Sequence, residues 1–315
     1  MEILASTEDL DLAGPSDTLD IDCSGKKSVA AGKWWGPREK QPILALHGWQ
    51  DNAGTFDKLI PLFPADIAVL CIDLPGHGLS SHYPKGQQYY IFWDGLVIVR
   101  RVVKHFKWEH ISIIGHSLGG AIGFLYASVF PDDIKKLVSI DIVSPAVREP
   151  SRIVHELGQG IDRFLKYETL TPEDAPCYSY DEMIDIVQSA YKDSLNRESC
   201  EVLMKRGMNP VTKSNCDSTK EGYLFSRDVR LKVAGLGLIS ADLVFELAER
   251  IKCEYLNIRA KPGLKFDKPE HYHDVLEKIK KTAKRFEFYE IEGTHHLHLN
   301  SPESVSTHIV NFLTS

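Results

Sequence analysis

Apolar positions along this chain fall into two alternating kinds of segment, short unbroken runs and longer stretches with a helical repeat. The runs Ile43 to Leu46, Ile67 to Ile72, Leu137 to Ile140, Tyr255 to Arg259 and Phe286 to Ile291 are short and bounded by turn formers, which predicts strands buried on both faces of a sheet. Val29 to Trp35 predicts an earlier strand, and a short one is expected around Leu19 to Cys23. Between them, Tyr89 to Phe106 places Phe92, Leu96, Val99, Val103 and Phe106 on one helical face, and Asp51 to Phe63 reads as a short helix. Pro269 to Lys284 predicts a helix with Val275 and Ile279 inward; Ser301 and Pro302 then predict the start of a last helix carrying Val305, Ile309 and Phe312. Such alternation implies an α/β fold: an open, mostly parallel sheet with helices on both faces and its site at the carboxyl ends of the strands.

The alternation stops between about Ser144 and Leu238. Helical patterns there (Ile153 to Tyr167, Tyr180 to Ser194, Ser199 to Arg206) are separated by loops with Pro172, Pro176 and Pro210 and by a polar run from Thr212 to Glu221. The expected organisation is a core in two parts, residues 1–143 and 239–315, interrupted by a helical lid over residues 144–238. A segment inserted at this point emerges on the edge of the sheet where the site is expected.

The stretch around Ser117 carries the first chemical signal. An apolar strand (Ile111, Ile113, Ile114) runs into Gly115-His116-Ser117-Leu118-Gly119 and then into a helix with Leu118, Ile122, Leu125 and Val129 at helical spacing. A strand-to-helix turn this sharp strains the residue at its apex. Glycines on either side remove the colliding side chains, and the serine hydroxyl is lifted clear as a nucleophile. A serine hydroxyl needs a base, and His295, in the loop after the last strand, is the first candidate, with His296 next. The carboxylate that would orient it is Asp141, at the end of the strand after the nucleophile helix, or alternatively Asp267, ahead of Lys268-Pro269. The backbone N–H groups of Leu118 and Trp49 are the expected oxyanion donors, with His47 holding the Trp49 loop in place. His295, His296 and His298 lack a cysteine or carboxylate at ligand spacing, so neither a metal nor any other cofactor is expected.

Composition narrows the picture further. With 315 residues, 43% hydrophobic, 26% charged and a formal charge of −7, the chain is expected to be globular, and nucleic acid or an anionic membrane is excluded as its main partner. Six cysteines without CxxC spacing suggest free thiols. No membrane-length apolar run and no signal peptide or peroxisomal tripeptide is recognisable, so the cytoplasm is the expected location.

LHGW, DLPGHG, GHSLGG and GTHHLHLNSPE occur in that order, and with them the chain resembles the α/β-hydrolase fold family over nearly its whole length. LHGWQDNAGTFDKLIPLFP and FSRDVRLK (Phe225 to Lys232) are similar to its serine hydrolase-like branch, which includes the Kraken proteins of insects. The family's terminal pattern sets the catalytic histidine seven residues before a proline, which selects His295 ahead of Pro302. Many members carry the acid in a GxxD turn after the next-to-last strand. Here that stretch reads Ala260-Lys261-Pro262-Gly263, and the position is vacant. The resemblance implies a serine hydrolase acting on an ester or related acyl compound, and the Tyr, Phe and Leu residues of the lid suggest a small-molecule substrate with an apolar acyl group. The alternatives are a binding protein that has lost turnover, suggested by the vacant acid position, and an acyltransferase on the same site.

Overall fold

A computed structural model of the chain describes residues 21–22, 29–171, 174–191, 194–211, 222–233, 237–265 and 268–315. The elements in order are β1 (Ile21–Asp22), β2 (Val29–Ala30), β3 (Gly32–Trp35), β4 (Ile43–Leu46), β5 (Val69–Ile72), α1 (Ile91–Phe106), β6 (Ile111–His116), α2 (Leu118–Val129) and β7 (Ile134–Ile140). They continue with α3 (Pro150–Thr169), α4 (Tyr180–Ala190), α5 (Arg197–Gly207), β8 (Met208–Val211), β9 (Gly222–Phe225) and α6 (Ala241–Ala248). The chain closes with β10 (Glu254–Pro262), α7 (Pro269–Thr282), β11 (Arg285–Gly293), α8 (Leu297–Asn300) and α9 (Glu303–Thr314). Seven strands form one sheet in the order β11-β10-β7-β6-β4-β5-β3, parallel throughout except for β3, which pairs antiparallel with β5.

Strand period two divides the core. Leu44, Leu46, Leu70, Ile72, Ile113 and Leu137 point to the layer holding α1, α2, α6 and α7; Ala45, Val69, Cys71, Ile114, Val138 and Ile140 point to the layer capped by Phe56 and α9. Both faces are covered, which is why the strands read as unbroken apolar runs. A third cluster, of Met183, Ile184, Val187, Leu195, Cys200, Leu203 and Met204 with Leu299, gives residues 180–204 a core of their own.

Several expectations change in detail. The helix expected over Asp51 to Phe63 is two short 3-10 turns, Ala53–Phe56 and Ile60–Leu62, because Pro61 lacks the N–H that a continuing helix needs. The segment after β7 is not purely helical, since β8 and β9 pair antiparallel. Pro210 fits that ribbon because a two-stranded ladder leaves an outer edge without partners. Pro302 is the N-cap of α9 rather than its first residue, and α8 was not expected. Free thiols hold for Cys71, Cys200 and Cys253 but not for Cys177, which is disulfide-bonded; sequence spacing does not show which cysteines meet in space. Among the described residues no helix is long and apolar enough to cross a membrane.

The segment between β7 and α6 is fastened to the carboxyl edge of the sheet. Arg206 Nε donates to Asp73 Oδ2 (2.8 Å) just past β5, and Asn52 Nδ2, past β4, donates to Leu203 O (2.9 Å). Past β11, Thr294 Oγ1 donates to Ser194 O (2.8 Å).

The turn between β6 and α2 tolerates no added side chain. A Cβ on Gly119 would lie 2.0 Å from Leu46 O, and one on Gly115 would lie 2.4 Å from Gly119 backbone atoms. Backbone cannot swing away as a side-chain tip can, so Gly119→Ala should cost about 3 kcal/mol, measured by urea unfolding. A loss of a few tenths would show that α2 does not seat so closely on β4.

Candidate active site

Because β4, β5, β6, β7, β10 and β11 run parallel, the residues that follow each of them arrive at one edge of the sheet. Ser117 stands between β6 and α2 with φ 50° and ψ −118°, a strained conformation that the flanking close contacts impose. Its N–H donates to Ile140 O (3.1 Å), which ties it to the end of β7, and its carbonyl accepts from Ala121 in the first turn of α2. Asp141 follows β7, also at positive φ (49°), with its N–H on Ile258 O of β10 (2.7 Å).

His295 Nδ1–H donates to Asp141 Oδ2 at 2.6 Å. The carboxylate is held from the other side by N–H groups of Ala260 (2.9 Å, to Oδ1) and Leu264 (2.7 Å, to Oδ2), and its side chain is 1% exposed. The Ala260 N–H belongs to the end of β10 and the Leu264 N–H to the turn after it, where many family members keep the acid. A Cβ on Gly263 would meet both Asp141 oxygens within 2.8 Å, so this turn has given up a side chain where Asp141 enters from the neighbouring strand. Asp267, the alternative acid, lies outside the described residues.

The His295 ring lies with its centroid 4.6 Å from that of His116, the residue before Ser117, and His116 Nε2–H donates to the His295 carbonyl (2.9 Å). With Nδ1 engaged by Asp141, Nε2 of His295 remains for proton transfer. Ser117 is half-buried and its Oγ is hydrogen-bonded to no described residue.

Leu118, the first residue of α2, presents its N–H at the helix N-terminus beside Ser117, and Trp49 lies in the loop after β4. His47 fixes that loop from beneath. Its Nε2 accepts from Leu74 N–H (2.9 Å), so its Nδ1 carries the proton and donates to Gly48 O (2.7 Å). Burial, opposed by Asp73, lowers the His47 pKa, and the ring acts as a neutral strut.

Below the site lies a buried polar cluster that the sequence reading passed over. Asp51 Oδ1 accepts from Tyr191 OH (2.7 Å), and Asp51 Oδ2 faces His296 Nε2 (3.3 Å) and His116 Nδ1 (3.5 Å). His296 Nδ1 meets Ser194 Oγ (2.7 Å), and His298 Nε2 meets Thr55 Oγ1 (2.9 Å). His296 is thus turned away from Asp141 and toward Asp51. Burial, the largest effect on each ring, lowers His116 to about 3, His296 below its usual value and His298 well below it, so these imidazoles are neutral. For Asp51 burial, the largest effect, acts in the opposite sense, but the contact with His296 outweighs it and the carboxyl is held well below its usual range. The signal open to a sequence reading was HHLHL itself, three histidines alternating into an apolar helix start.

A cavity of about 160 Å³ opens beside Trp49, under α3, lined by Ile153, Leu157, Val233 and Leu238 and by Arg148, Glu156, Arg163 and Lys232. It is apolar in part, but cations outnumber acids along its wall.

A parallel sheet with a serine elbow, an acid after β7 and a histidine after β11 is the arrangement of an α/β hydrolase. The model of that fold matches residues 41–175. A probable serine hydrolase of Drosophila melanogaster is 48% identical over 97% of this chain and 91% of its own length. A serine hydrolase-like protein of Danio rerio is 34% identical over 90% of the chain and 84% of its own. Among solved structures, a hypothetical protein of Pseudomonas aeruginosa superposes with a TM-score of 0.80 at 26% identity, over 95% of this chain and all of that one. A thioesterase domain from the curacin biosynthetic pathway shares the fold (TM-score 0.75, 21% identity, 96% and 100% covered). The chain therefore belongs to the α/β-hydrolase fold family, in its serine hydrolase-like branch.

Proposed function

We propose that this chain is a serine hydrolase that cleaves an ester or related acyl compound through an acyl-enzyme on Ser117. The observation that carries the reading is the 2.6 Å bond from His295 to a buried, doubly anchored Asp141, with the His295 ring beside the residue that precedes Ser117. Ser117 Oγ attacks the acyl carbonyl as His295 Nε2 takes its proton, and the N–H groups of Leu118 and Trp49 receive the negative charge that develops on oxygen. His295 then protonates the leaving alcohol or thiol. Water, activated by the same nitrogen, releases the acid and frees Ser117. Asp141 keeps the proton on Nδ1 and stabilises the imidazolium formed in each half of the cycle.

Residues 144–238 act in this proposal as a lid that shapes the substrate pocket beside Trp49. Val233, Leu238 and Ile153 suit an apolar acyl chain, while Arg148, Arg163 and Lys232 suit an acidic group at its far end, where the sequence alone suggested only apolar character. A cytoplasmic setting belongs to the same reading.

A fluorophosphonate probe should label the native protein at Ser117, as located by peptide mass spectrometry, and a graded ester panel should show faster turnover when the acyl chain ends in a carboxylate. Absence of labelling would favour a binding protein that has lost turnover. Equal rates for charged and neutral esters would remove the acidic end from the substrate.

A further inference from the structure

Asp51, His116 and His296 are brought together from three separate stretches of chain, the loop after β4, the end of β6 and the loop after β11. All three are buried, and one ligand atom from each lies within 4.8 Å of the other two. No carboxylate stands at ligand spacing in the histidine cluster near the C-terminus; the fold supplies one from position 51. We propose that Asp51 Oδ2, His116 Nδ1 and His296 Nε2 form a binding site for a divalent transition-metal ion of the zinc class.

The argument starts from an atom without a partner. His116 Nε2–H donates to the His295 carbonyl, so in the neutral ring Nδ1 carries a lone pair. That nitrogen is fully buried and unpartnered, and it points at a carboxylate oxygen 3.5 Å away. Two electron-rich atoms facing each other in a buried space are unfavourable by themselves and favourable around a cation.

Distances agree with this. An ion with bonds of about 2.0–2.1 Å in tetrahedral geometry sets its ligands about 3.3 Å apart, and Asp51 Oδ2 lies 3.3 Å from His296 Nε2 and 3.5 Å from His116 Nδ1. A Cβ on Gly48 would lie 2.8 Å from Asp51 Oδ2 and 2.9 Å from His116 Nδ1, so glycine there leaves the space in front of both atoms open. Two imidazoles and one carboxylate suit zinc-class ions rather than magnesium or calcium, which prefer oxygen.

The outer atoms of the ligands are already anchored, as metal ligands require. Tyr191 OH holds Asp51 Oδ1, the His295 carbonyl holds His116 Nε2–H, and Ser194 Oγ faces His296 Nδ1. On binding, neutral His296 shifts to the tautomer with its single proton on Nδ1, which donates to Ser194 Oγ and leaves the Nε2 lone pair for the ion. The ion would tie the strand before Ser117 to the loop that carries His295, while contacting neither residue itself.

Zn2+ and Co2+ added to the full, chelator-treated chain test this. One equivalent of Co2+ should give the intense visible bands of a tetrahedral site, and Zn2+ at about a hundred times its Kd should raise Tm by several degrees. Removing a ligand should cost more than the 10- to 100-fold typical of losing an outer partner, so His296→Gln and Asp51→Asn should each weaken Zn2+ binding about 100-fold or more. Ser117→Ala should bind as wild type does, which separates this proposal from the hydrolase reading. If His296→Gln fails to fold, the wild-type Co2+ spectrum decides. Absence of stoichiometric binding, an octahedral Co2+ spectrum, or undiminished binding by both ligand variants would overturn the site.

Discussion

Ser117→Ala should lower kcat/KM for an activated ester by about 10⁵-fold or more, and Asp141→Asn by about 10⁴-fold, each measured on folded protein. Alanine removes the one side-chain hydroxyl of residues 115–119 and leaves the N–H groups of Leu118 and Trp49 and the cavity beside Trp49 in place. The asparagine acts more subtly. It matches aspartate in size, but Asp141 accepts from three donors, the N–H groups of Ala260 and Leu264 and His295 Nδ1–H. An amide offers one acceptor oxygen and one NH₂. With its oxygen in the Oδ1 position it serves Ala260 alone, and its NH₂ in the Oδ2 position faces Leu264 N–H and His295 and selects the tautomer with the proton on Nε2, which cannot accept from serine. Asp267→Asn should leave kcat/KM within twofold. A rate that survives Asp141→Asn and collapses with Asp267→Asn would reverse the assignment of the acid.

The Asp141 geometry also shows what could be read from sequence and what could not. Strand runs and helical repeats are local, so the alternating core and the elbow were legible from residues 43–143 and 255–312. Which carboxylate meets His295 was not, because it depends on which strand tip lies beside that ring. The sheet order places β7 next to β10, so the end of β10 and the turn after it each give one N–H to the Asp141 carboxylate. The same holds for Asp51, which reads as a polar residue in a loop after Gly48-Trp49. Only the closure of the β4 loop against the histidine loop shows that it is buried with His116 and His296. The β8–β9 ribbon was hidden for a different reason, since Met208–Val211 carries Asn209 and Pro210 and has no period-two pattern.

Those buried rings should also set the acid limit of the fold. Burial lowers His77 and His116 to about 3, whereas in the unfolded chain both titrate near the ordinary value of about 6.5. Below pH 6.5 the unfolded state therefore binds more protons than the native state, and stability falls with pH until the native rings titrate near pH 3. Each ring contributes about 1.4 kcal/mol per pH unit in that window, so the pair should remove about 4 kcal/mol between pH 6.5 and 5. His298, His47 and His296, lowered in the same sense by burial, add to the slope. Asp57 and Asp94, raised by burial, oppose it, while Asp51, held low, loses its contribution only below the ordinary carboxylate range. Two carboxyls set against five imidazoles leave a net loss. Thermal melts should show Tm falling by about 8 °C or more from pH 7.5 to 5. His77→Gln separates this from a general charge effect: its ring gives Nδ1–H to Pro75 O and leaves Nε2 buried without a partner, so the glutamine variant should lose about 1.4 kcal/mol per pH unit of slope. A wild-type stability that stays flat from pH 6.5 to 5 would mean that the buried imidazoles accept protons in place, and the neutral struts beneath the site would have to be redrawn as cations.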